Sequence, residues 1–456
     1  MSSNYPALLN WQYTELENIA DINPKFDKTK YSDEFEVSFI PMKRVSELTR
    51  SIDLSETKKF GEVKKGYTPF QNGDIIFAKI TPCMENGKIA VLSGLTNNIG
   101  FGSTEFHVVR LPIYIPRKYL FYYLIQKSFR KDAERNMTGS VGQKRVPADF
   151  LRKTPIPLPP LPEQHRIVAK IEELFTKLDA GVDALKQVQA QLKRYRQSVL
   201  KAACNGLIGD VHDTTYFNNE NWQTIQEAVG TLNQGWSPKC ERKPSNSPNI
   251  WGVIKTSAVQ SMNFVELENK KLPDNLLPRP KLEIQTEDIL ITRAGPRKRV
   301  GIACLVKNVR PHLMVCDKVY RIRCRNNKIS PRYLELILST PQIMDSINNL
   351  KTGISDSGVN LTQKRFLNLK IPLPPLNIQR VISDEVEHLF SIIEASENII
   401  KSELLRAQSL YQSILKRAFE GKLVQQDPND EPASVLLERI KKEKTSQKKS
   451  KQLEMF

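Results

Sequence analysis

Two polar loops in the N-terminal third of the chain carry side-chain types that contact nucleic acids. Residues 79–88 place lysine, threonine and asparagine around turn-forming residues, between two apolar runs typical of strands. Residues 138–145 combine glycines for close backbone approach, hydroxyls and lysine for phosphates, and glutamine or arginine for base edges. Either loop alone could also be an ordinary solvated turn. The candidate DNA-binding residues are Lys79, Thr81, Asn86, Lys88, Ser140, Gln143, Lys144 and Arg145.

The same pattern recurs in the second half of the chain. Residues 287–296 match residues 73–82, and residues 352–358 match the loop that begins at Thr138. The apolar runs persist while the polar loops diverge, which indicates two similar scaffolds that read two different things. A tight turn at Gly235 adds the indole of Trp236, which could equally be a core tryptophan. The second set of candidates is Trp236, Ser237, Lys239, Arg293, Arg297, Lys298, Arg299, Ser355, Ser357, Gln363 and Lys364.

Short strands must position the first two loops. The runs 37–40, 74–80, 88–92 and 106–109 have a β-type composition and are bounded by glycine, proline or asparagine, as strands usually are. Residues 119–125 predict a buried helix just after Pro116. We therefore expect an α+β domain rather than a regular βαβ array.

A proline-rich entry into a long helix occurs twice. It begins at Ile156 and again at Ile371, and both copies read Ile-Pro-Leu-Pro-Pro-Leu followed by a glutamine three residues later. The prolines predict an extended approach because each fixes φ and lacks a donor. Apolar residues then recur in steps of three and four, which predicts a coiled-coil seam on a helix of roughly 40 residues, on the order of 60 Å. The expected seam residues of the first helix are Ile167, Ile171, Leu174, Leu178, Val182, Leu185, Val188, Leu192, Tyr195 and Val199.

The second long helix supplies a partner for the first. Two helices of equal length separated by a compact domain can pair antiparallel. The C-terminal residues read as a short helix over 433–440 and then a lysine-rich end, 441–451, predicted to be disordered. The expected seam of the second helix is Ile382, Val386, Leu389, Ile393, Ile400, Leu404, Ala407, Leu410 and Ile414.

Composition narrows the class of protein. The 456 residues carry a formal net charge of +18, which favours an acidic partner such as nucleic acid, although a merely soluble basic protein is the alternative. The six cysteines form no CxxC pair and indicate reduced thiols in a cytoplasmic protein. The N-terminus lacks a signal-peptide pattern, and no run approaches the roughly 20 apolar residues of a membrane span.

Motifs for catalysis are missing from the sequence. There is no glycine-rich dinucleotide motif, no P-loop and no Asn/Asp-Pro-Pro-Tyr/Phe motif of an amino-methyltransferase, since both Pro-Pro pairs follow leucine. The five histidines form no recognisable triad or metal array. We expect no catalytic, cofactor-binding or metal-binding residues in this chain.

Four features occur together in this sequence: the doubled Pro-Leu-Pro-Pro-Leu entry, long helices ending in Gln-Ser-(Val/Ile)-Leu-Lys, the strand edge at 77–82 and the loop at 138–140. In this combination the whole chain resembles the specificity (S) subunit of type I restriction-modification systems, the HsdS family. The resemblance implies two target-recognition domains, each reading one half of a split site in double-stranded DNA, with the helices fixing the spacer. It also implies docking of two methyltransferase (M) subunits and of restriction/translocase (R) subunits. S-adenosylmethionine, ATP and Mg would then be bound by those partners, and this chain would be a non-catalytic subunit of an adenine-specific DNA methyltransferase complex.

Two alternatives remain open at this point. A coiled-coil scaffold or adaptor with basic nucleic-acid-binding domains would share the helices, and a stand-alone DNA methyltransferase would need the missing cofactor motifs. The expected fold class is α+β, with two similar α/β recognition domains joined by two long antiparallel coiled-coil helices in a pseudo-twofold internal repeat. The expected segments are recognition domain 1 (1–155), the central helix with its proline entry (156–210), recognition domain 2 (211–370), the distal helix (371–425) and a basic C-terminal tail (426–456).

Overall fold

The computed structural model describes residue 8 and residues 10–47, 51–140 and 142–453, with the side chains of 447–453 outside the description. The described chain forms two compact units. One contains the residues up to Ala184 and those from Glu403 onward, and the other is Leu185–Ser402. Both boundaries fall inside long helices, so each unit contains part of both.

The described residues up to Leu158 fold as an α+β domain, as the sequence predicted. Its strands are β1 (Gln12–Glu15), β2 (Asp21–Ile22), β3 (Glu36–Ile40), β4 (Thr57–Lys59), β5 (Thr68–Gln71), β6 (Ile75–Ala78), β7 (Ile89–Val91), β8 (Ile99–Gly102), β9 (Phe106–Arg110) and β10 (Pro155–Leu158). Its helices are α1 (Leu16–Ile19), α2 (Phe60–Val63), α3 (Arg117–Leu124), α4 (Lys127–Arg135) and α5 (Ala148–Arg152), and the long helix α6 (Leu161–Cys204) follows.

The second domain has a similar set of elements with additional short strands. Its strands are β11 (Gln223–Thr224), β12 (Val229–Gln234), β13 (Gly252–Ile254), β14 (Val259–Gln260), β15 (Asn263–Phe264), β16 (Asn269–Lys271), β17 (Ile289–Thr292), β18 (Ala294–Gly295), β19 (Ala303–Leu305), β20 (Leu313–Met314), β21 (Val319–Cys324), β22 (Val359–Asn360) and β23 (Lys370–Ile371). Its helices are α7 (Ile225–Ala228), α8 (Pro331–Leu338), α9 (Pro341–Leu350) and α10 (Gln363–Leu367), and α11 (Leu376–Phe419) and α12 (Ala433–Leu453) follow.

The strand topology shows which strands of the two domains correspond. The main sheet has the order β2-β9-β6-β7 in the first domain and β12-β21-β17-β19 in the second, with antiparallel pairing throughout. A second sheet contains the parallel pair β3 and β8 in the first domain, in the order β4-β3-β8-β5, and the parallel pair β13 and β20 in the second, in the order β16-β13-β20. β1 pairs with β10 as β11 pairs with β23, which brings each proline entry back to the start of its domain.

The glutamine of each proline entry explains why the motif recurs. Gln164 Nε2 donates to the carbonyl of Pro159 at 2.9 Å, and Gln379 Nε2 donates to the carbonyl of Pro374 at 2.8 Å. Both glutamines are fully buried. Because a proline carbonyl at the entry has no helical donor, the side-chain amide satisfies it and fixes the angle at which the helix begins.

The long helices run antiparallel within the first unit. The ring of Phe175 on α6 packs against that of Tyr411 on α11, with centroids 5.0 Å apart, while the earlier residue Glu163 accepts from the later Gln426. In the second unit, the guanidinium of Arg196 lies 4.5 Å from the ring centroid of Phe390 and pairs with Glu397.

Part of the predicted seam is wrong. Val188, Tyr195 and Leu410 are 43%, 47% and 43% exposed, whereas Gln189 and Arg196 are half-buried. Residue type and spacing alone predict these apolar side chains in the seam. Beside Tyr195, the polar side chain of Arg196 occupies the inward position and lies over the ring of Phe390.

The prediction of a disordered end is also wrong for the described residues, because α12 continues to Leu453. Ala433, Leu436 and Ile440 recur at helical spacing and are buried in the first unit's core, which also contains Ile19. Lys444 Nζ then donates to two carbonyls at the end of α1, those of Glu17 and Ala20. The helix is therefore held by burial of one face rather than by the composition of its lysine-rich face.

Candidate nucleic-acid interface

The two polar loops of the first domain, residues 79–88 and 138–145, meet at one edge of the main sheet. Thr81 N donates to the carbonyl of Lys144 at 3.0 Å, and Val146 N donates to that of Lys79 at 2.8 Å. Ile80 and Arg145 form an isolated antiparallel bridge between these hydrogen bonds. Two segments far apart in sequence therefore present their candidate residues as one surface, which we call loop edge 1.

A third segment joins loop edge 1. Asn23 follows β2 with a left-handed φ of 52°, and its side chain contacts Nδ1 of His107 at 3.1 Å. His107 is 4% exposed, and its Nε2 bonds to the carbonyl of Val146 at 2.8 Å. Burial lowers the pKa of His107, so the neutral imidazole is favoured. The histidine ties the β2 loop to the segment that ends at Val146.

Arg145 acts as a brace in this edge. Its Nε and Nη2 form a bidentate pair with Glu105, at 2.9 and 2.7 Å, and its Nη1 donates to the carbonyl of Gln143 at 2.9 Å. The side-chain hydrogen bond from Arg145 lowers the pKa of Glu105. All three nitrogens of this guanidinium are occupied, so Arg145 positions the loop more readily than it contacts a ligand.

The other candidates of the first domain divide into engaged and open side chains. Thr81 donates to Glu85 at 2.8 Å, Asn86 to Glu47 at 3.0 Å, and Lys88 to the carbonyl of Met42 at 3.3 Å. Within the described residues, the side chains of four candidates have no hydrogen-bond or ion-pair partner, which leaves them available to a ligand. These four are Lys79, Ser140, Gln143 and Lys144.

A cleft of about 580 Å³ lies beside loop edge 1. Thr81 and Lys144 line it together with Lys131 and Arg135, two exposed cations of α4 that the sequence reading did not single out. Their spacing of four residues places them on one face of the helix. The sequence signal for them was the spacing of four residues between Lys131 and Arg135, just before the candidate loop at 138–145.

The second domain builds the same edge from different residues. Leu361 N donates to the carbonyl of Arg293 at 2.7 Å, and β18 pairs with β22 beyond it. Tyr320 takes the place of His107, since its hydroxyl donates to the carbonyl of Leu361 at 3.0 Å. We call this surface, formed by residues 235–239, 293–299 and 352–361, loop edge 2.

The loop that carries Trp236 joins loop edge 2 through Asp317. Ser237 donates to the Asp317 carboxylate, while Arg293 Nη1 donates to the Asp317 carbonyl at 3.0 Å. Trp236 is half-buried, and the guanidinium of Arg279 lies 4.1 Å from its ring centroid. The sequence left open whether Trp236 is an exposed contact or a core residue. The half-buried indole is intermediate between these two alternatives and lines loop edge 2.

Two arginines of loop edge 2 are held within the domain. Arg299 Nη2 donates to the carbonyls of Thr256 and Val259, at 2.8 and 3.1 Å. Arg297 pairs through Nε with Asp356 at 2.7 Å, and the carbonyl of Arg297 accepts from the buried Lys351 at 2.9 Å. Burial lowers the pKa of Lys351.

The remaining candidates of the second domain lie in two places. Ser355 and Ser357 are exposed and bond to each other at 2.6 Å. Gln363 and Lys364 lie outside the loop, on the first turn of α10, where they are exposed. Lys239 and Lys298 are exposed, and among the described residues neither amine has a partner.

Matched glycines shape the second loop of loop edge 1, residues 138–145, and its counterpart in loop edge 2, residues 352–361. Gly139 and Gly353 have φ values of 118° and 120°, where other residues are strained. A Cβ on Gly139 would lie 3.0 Å from the carbonyl oxygen of Gln143, and one on Gly353 would lie 2.7 Å from that of Gly358. The glycines that the sequence suggested for approach to DNA are needed to close the loops themselves.

Five residues that hold the two edges together are not among the candidates predicted from the sequence. They are Asn23, Glu105 and His107 in the first domain, and Asp317 and Tyr320 in the second. These residues lie on or beside the central strands β9 and β21, where the apolar neighbours dominate the pattern. Aligning the two copies strand by strand would have shown that each carries a polar group facing its loops.

The described part of the chain contains no group of three or more His, Cys, Asp or Glu side chains arranged to hold a metal ion. All six cysteines are free thiols. None of the described helices combines the length and the apolar character that crossing a membrane requires.

Comparison with known proteins identifies the family. The family model for the type I restriction modification DNA specificity domain matches residues 9–194 and again residues 229–406. The chain is 34% identical to the type I restriction enzyme EcoEI specificity subunit of Escherichia coli, over 87% of this chain and 80% of that protein. It is 27% identical to the EcoKI specificity subunit of Escherichia coli K12, over 89% and 95%.

Solved structures share the fold. The HsdS subunit from Thermoanaerobacter tengcongensis matches with a TM-score of 0.59 at 20% identity, over 92% of this chain and 99% of that one. A chain from a structure on the assembly and conformational transition of the type I R-M system matches with a TM-score of 0.72, also at 20% identity, over 92% and 100%. These structures show the fold alone, and the family model and the relatives support a specificity subunit rather than the scaffold alternative. The chain belongs to the family of type I restriction-modification specificity subunits.

Proposed function

We propose that loop edge 1 and loop edge 2 each read one half of a split DNA target. The observation that carries this proposal is the repeat itself: each edge uses loops at the same end of a matched sheet, braced by His107 in one and Tyr320 in the other. The polar side chains on these loops differ between the domains, which is what reading two different half-sites requires.

Open lysines would supply the salt-dependent affinity. Lys79 and Lys144 in the first domain, and Lys239 and Lys298 in the second, are cations without a described partner, suited to phosphates. Gln143, Ser140 and the loop serines have the donors and acceptors that base edges demand.

We further propose that the chain works within an assembly. The two long helices would dock two methyltransferase subunits, and restriction/translocase subunits would join through them. S-adenosylmethionine, ATP and Mg would be bound by those partners, and the chemistry would belong to them. This assignment is supported by family membership, and the specificity subunit would contribute DNA selection and a fixed spacer between half-sites.

Domain exchange tests the proposal. Residues 211–370 are replaced with the corresponding domain of another family member, and the full chain is co-expressed with its methyltransferase subunit. Methylated adenines are then mapped by sequencing the host DNA. We expect a change in one half of the target alone, and changes in both halves would contradict separate reading. The matched control exchanges residues 1–155, which should change only the other half.

A further inference from the structure

We propose that Arg297 reads a guanine in the half-site of the second domain, and that Asp356 orients its guanidinium for this contact. The inference rests on the proposed function, because it requires loop edge 2 to face the DNA. It adds the identity of a base and names the positioning residue.

Arg297 is fixed at three points. Its backbone N donates to the carbonyl of Asp356 at 2.9 Å, and its Nε donates to the Asp356 carboxylate at 2.7 Å. Its carbonyl accepts from Lys351 Nζ at 2.9 Å, and Lys351 is only 9% exposed and also bonds to Asn348. The backbone on both sides and the direction of the side chain are therefore set before any ligand arrives.

The terminal nitrogens of Arg297 remain available to a ligand. No partner of Nη1 or Nη2 occurs among the described residues, and the side chain is 40% exposed. With Nε occupied, the two terminal nitrogens form a planar fork of donors. That fork matches the O6 and N7 acceptors that guanine presents in the major groove.

The other guanidinium groups of the two edges lack this combination. Arg145 is bonded through all three nitrogens, and Arg299 is anchored through Nη2 to two carbonyls. Arg293 donates through Nη1, and its Nε is buried. Among the described candidate arginines, Arg297 alone is both oriented and open.

A phosphate could accept the same fork, but the charges favour a base. Asp356 is 86% exposed and lies directly beside Arg297, so its carboxylate would repel an approaching phosphate and offset the arginine's charge. A neutral base edge incurs no such repulsion. Lys298, the exposed neighbour without an acidic partner, is the better phosphate ligand.

The first experiment maps specificity. The full chain, its Arg297→Met variant and the matched Lys298→Met variant are each co-expressed with the methyltransferase subunit, and methylated targets are sequenced. We expect a G·C pair in the half assigned to residues 211–370, and relaxation at that single position in Arg297→Met. Lys298→Met should weaken methylation evenly across sequences and keep the preference.

The second experiment probes the atoms. Binding of the purified complex is measured on the target and on duplexes in which that guanine is replaced by 7-deazaguanine, which lacks the N7 acceptor, or by hypoxanthine, which keeps O6 and N7. We expect 7-deazaguanine to reduce wild-type affinity by about 10- to 100-fold, with hypoxanthine tolerated, and the Arg297→Met complex to be insensitive to both.

Asp356 is tested as a positioning residue. Asp356→Ala should relax the same base position, and Asp356→Asn, whose Oδ1 can still accept from Nε, should restore it in part. The inference is overturned by a second half-site without G·C, by unchanged preference in Arg297→Met, or by equal loss on all sequences with no effect of 7-deazaguanine, which would indicate a phosphate contact. If the wild-type complex methylates no defined split target, the proposed function fails together with this inference. If it methylates a split target and Arg297→Met keeps its base preference, only this inference fails.

Discussion

His107 and Val146 are joined by a hydrogen bond of 2.8 Å between imidazole Nε2 and a main-chain carbonyl. Because the carbonyl can only accept, Nε2 carries the proton and Nδ1 accepts from the amide of Asn23 at 3.1 Å. The Asn23 oxygen accepts from Val108 N at 2.9 Å, which fixes the orientation of that amide. The hydrogen bonds of loop edge 1 therefore require a neutral histidine.

We expect loop edge 1 to loosen as the pH falls below neutrality. Burial lowers the pKa of His107, and the charges of Lys79 and Arg152 act in the same direction while the Val146 hydrogen bond and Glu105 oppose it. A depressed histidine pKa contributes stability that is fully present above the unfolded-state value of about 6.5 and is lost as the pH falls toward the folded-state value. Amide hydrogen exchange of residues 142–146, corrected for intrinsic rates, should accelerate across this window. His107→Gln keeps an amide donor without titrating and should remove the acceleration, and an identical pH profile in that variant would refute the role of the imidazole.

The brace between Arg145 and Glu105 should show a small but measurable coupling. The two side chains are 42% and 24% exposed, so solvent screens their attraction and keeps the coupling small. A double-mutant cycle with Arg145→Gln and Glu105→Gln, read by chemical denaturation of the full chain, measures it. Additive effects of the two substitutions would show that the bidentate pair contributes nothing.

The open lysines Lys79 and Lys144 should act through phosphates. Replacing either with glutamine should weaken DNA binding of the assembled complex on all sequences and reduce the slope of log K against log salt by about 1. Lys153, exposed at the far end of α5, is the matched control and should leave the slope unchanged. A variant that changes base preference and keeps the slope would instead assign that lysine to a base edge.

Glu163 should weaken the first unit when it ionises. It is 1% exposed and accepts from Trp11 Nε1 at 2.9 Å, and burial raises its pKa. A raised carboxyl pKa means that stability declines as the pH rises through the unfolded-state value of about 4.3 to the higher folded-state value. We expect Glu163→Gln, which keeps the acceptor, to be at least as stable as wild type at neutral pH.

The companion variant Glu163→Ala should lose about 1 to 3 kcal/mol, because the Trp11 indole N–H is left buried without a partner. Chemical denaturation followed by tryptophan fluorescence measures both variants. A Glu163→Gln protein that is less stable than wild type at neutral pH would show that the charge is needed for the pairing.

The buried face of α12 should stabilise the first unit. Leu436 is 1% exposed, and we expect Leu436→Ala to lower the free energy of unfolding by about 2 to 5 kcal/mol. Val435, its neighbour on the same helix, is 42% exposed, and Val435→Ala should change it by about 0.5 kcal/mol or less. Equal effects of the two substitutions would mean that α12 does not pack as described.

The amino-acid sequence by itself determined the doubled architecture. Proline fixes φ and removes a donor, and heptad-like spacing marks a helix face. Both are local properties, so the entries at Ile156 and Ile371 and the helices after them could be read directly. The strands that precede each loop were equally readable, since alternation of apolar runs with glycine and proline is also local.

Only the tertiary structure decided which polar side chains are open. Arg145 and Arg297 look alike in sequence, yet one is bonded at every nitrogen by Glu105 and Gln143 and the other keeps its terminal nitrogens free beside Asp356. Those partners are separated from the arginines by 2, 40 and 59 positions in the chain, and the longer pairings exist only because the strands align them. The same reason explains α12, whose lysine-rich composition suggested disorder, while a buried face formed with residues at the other end of the chain makes it a helix.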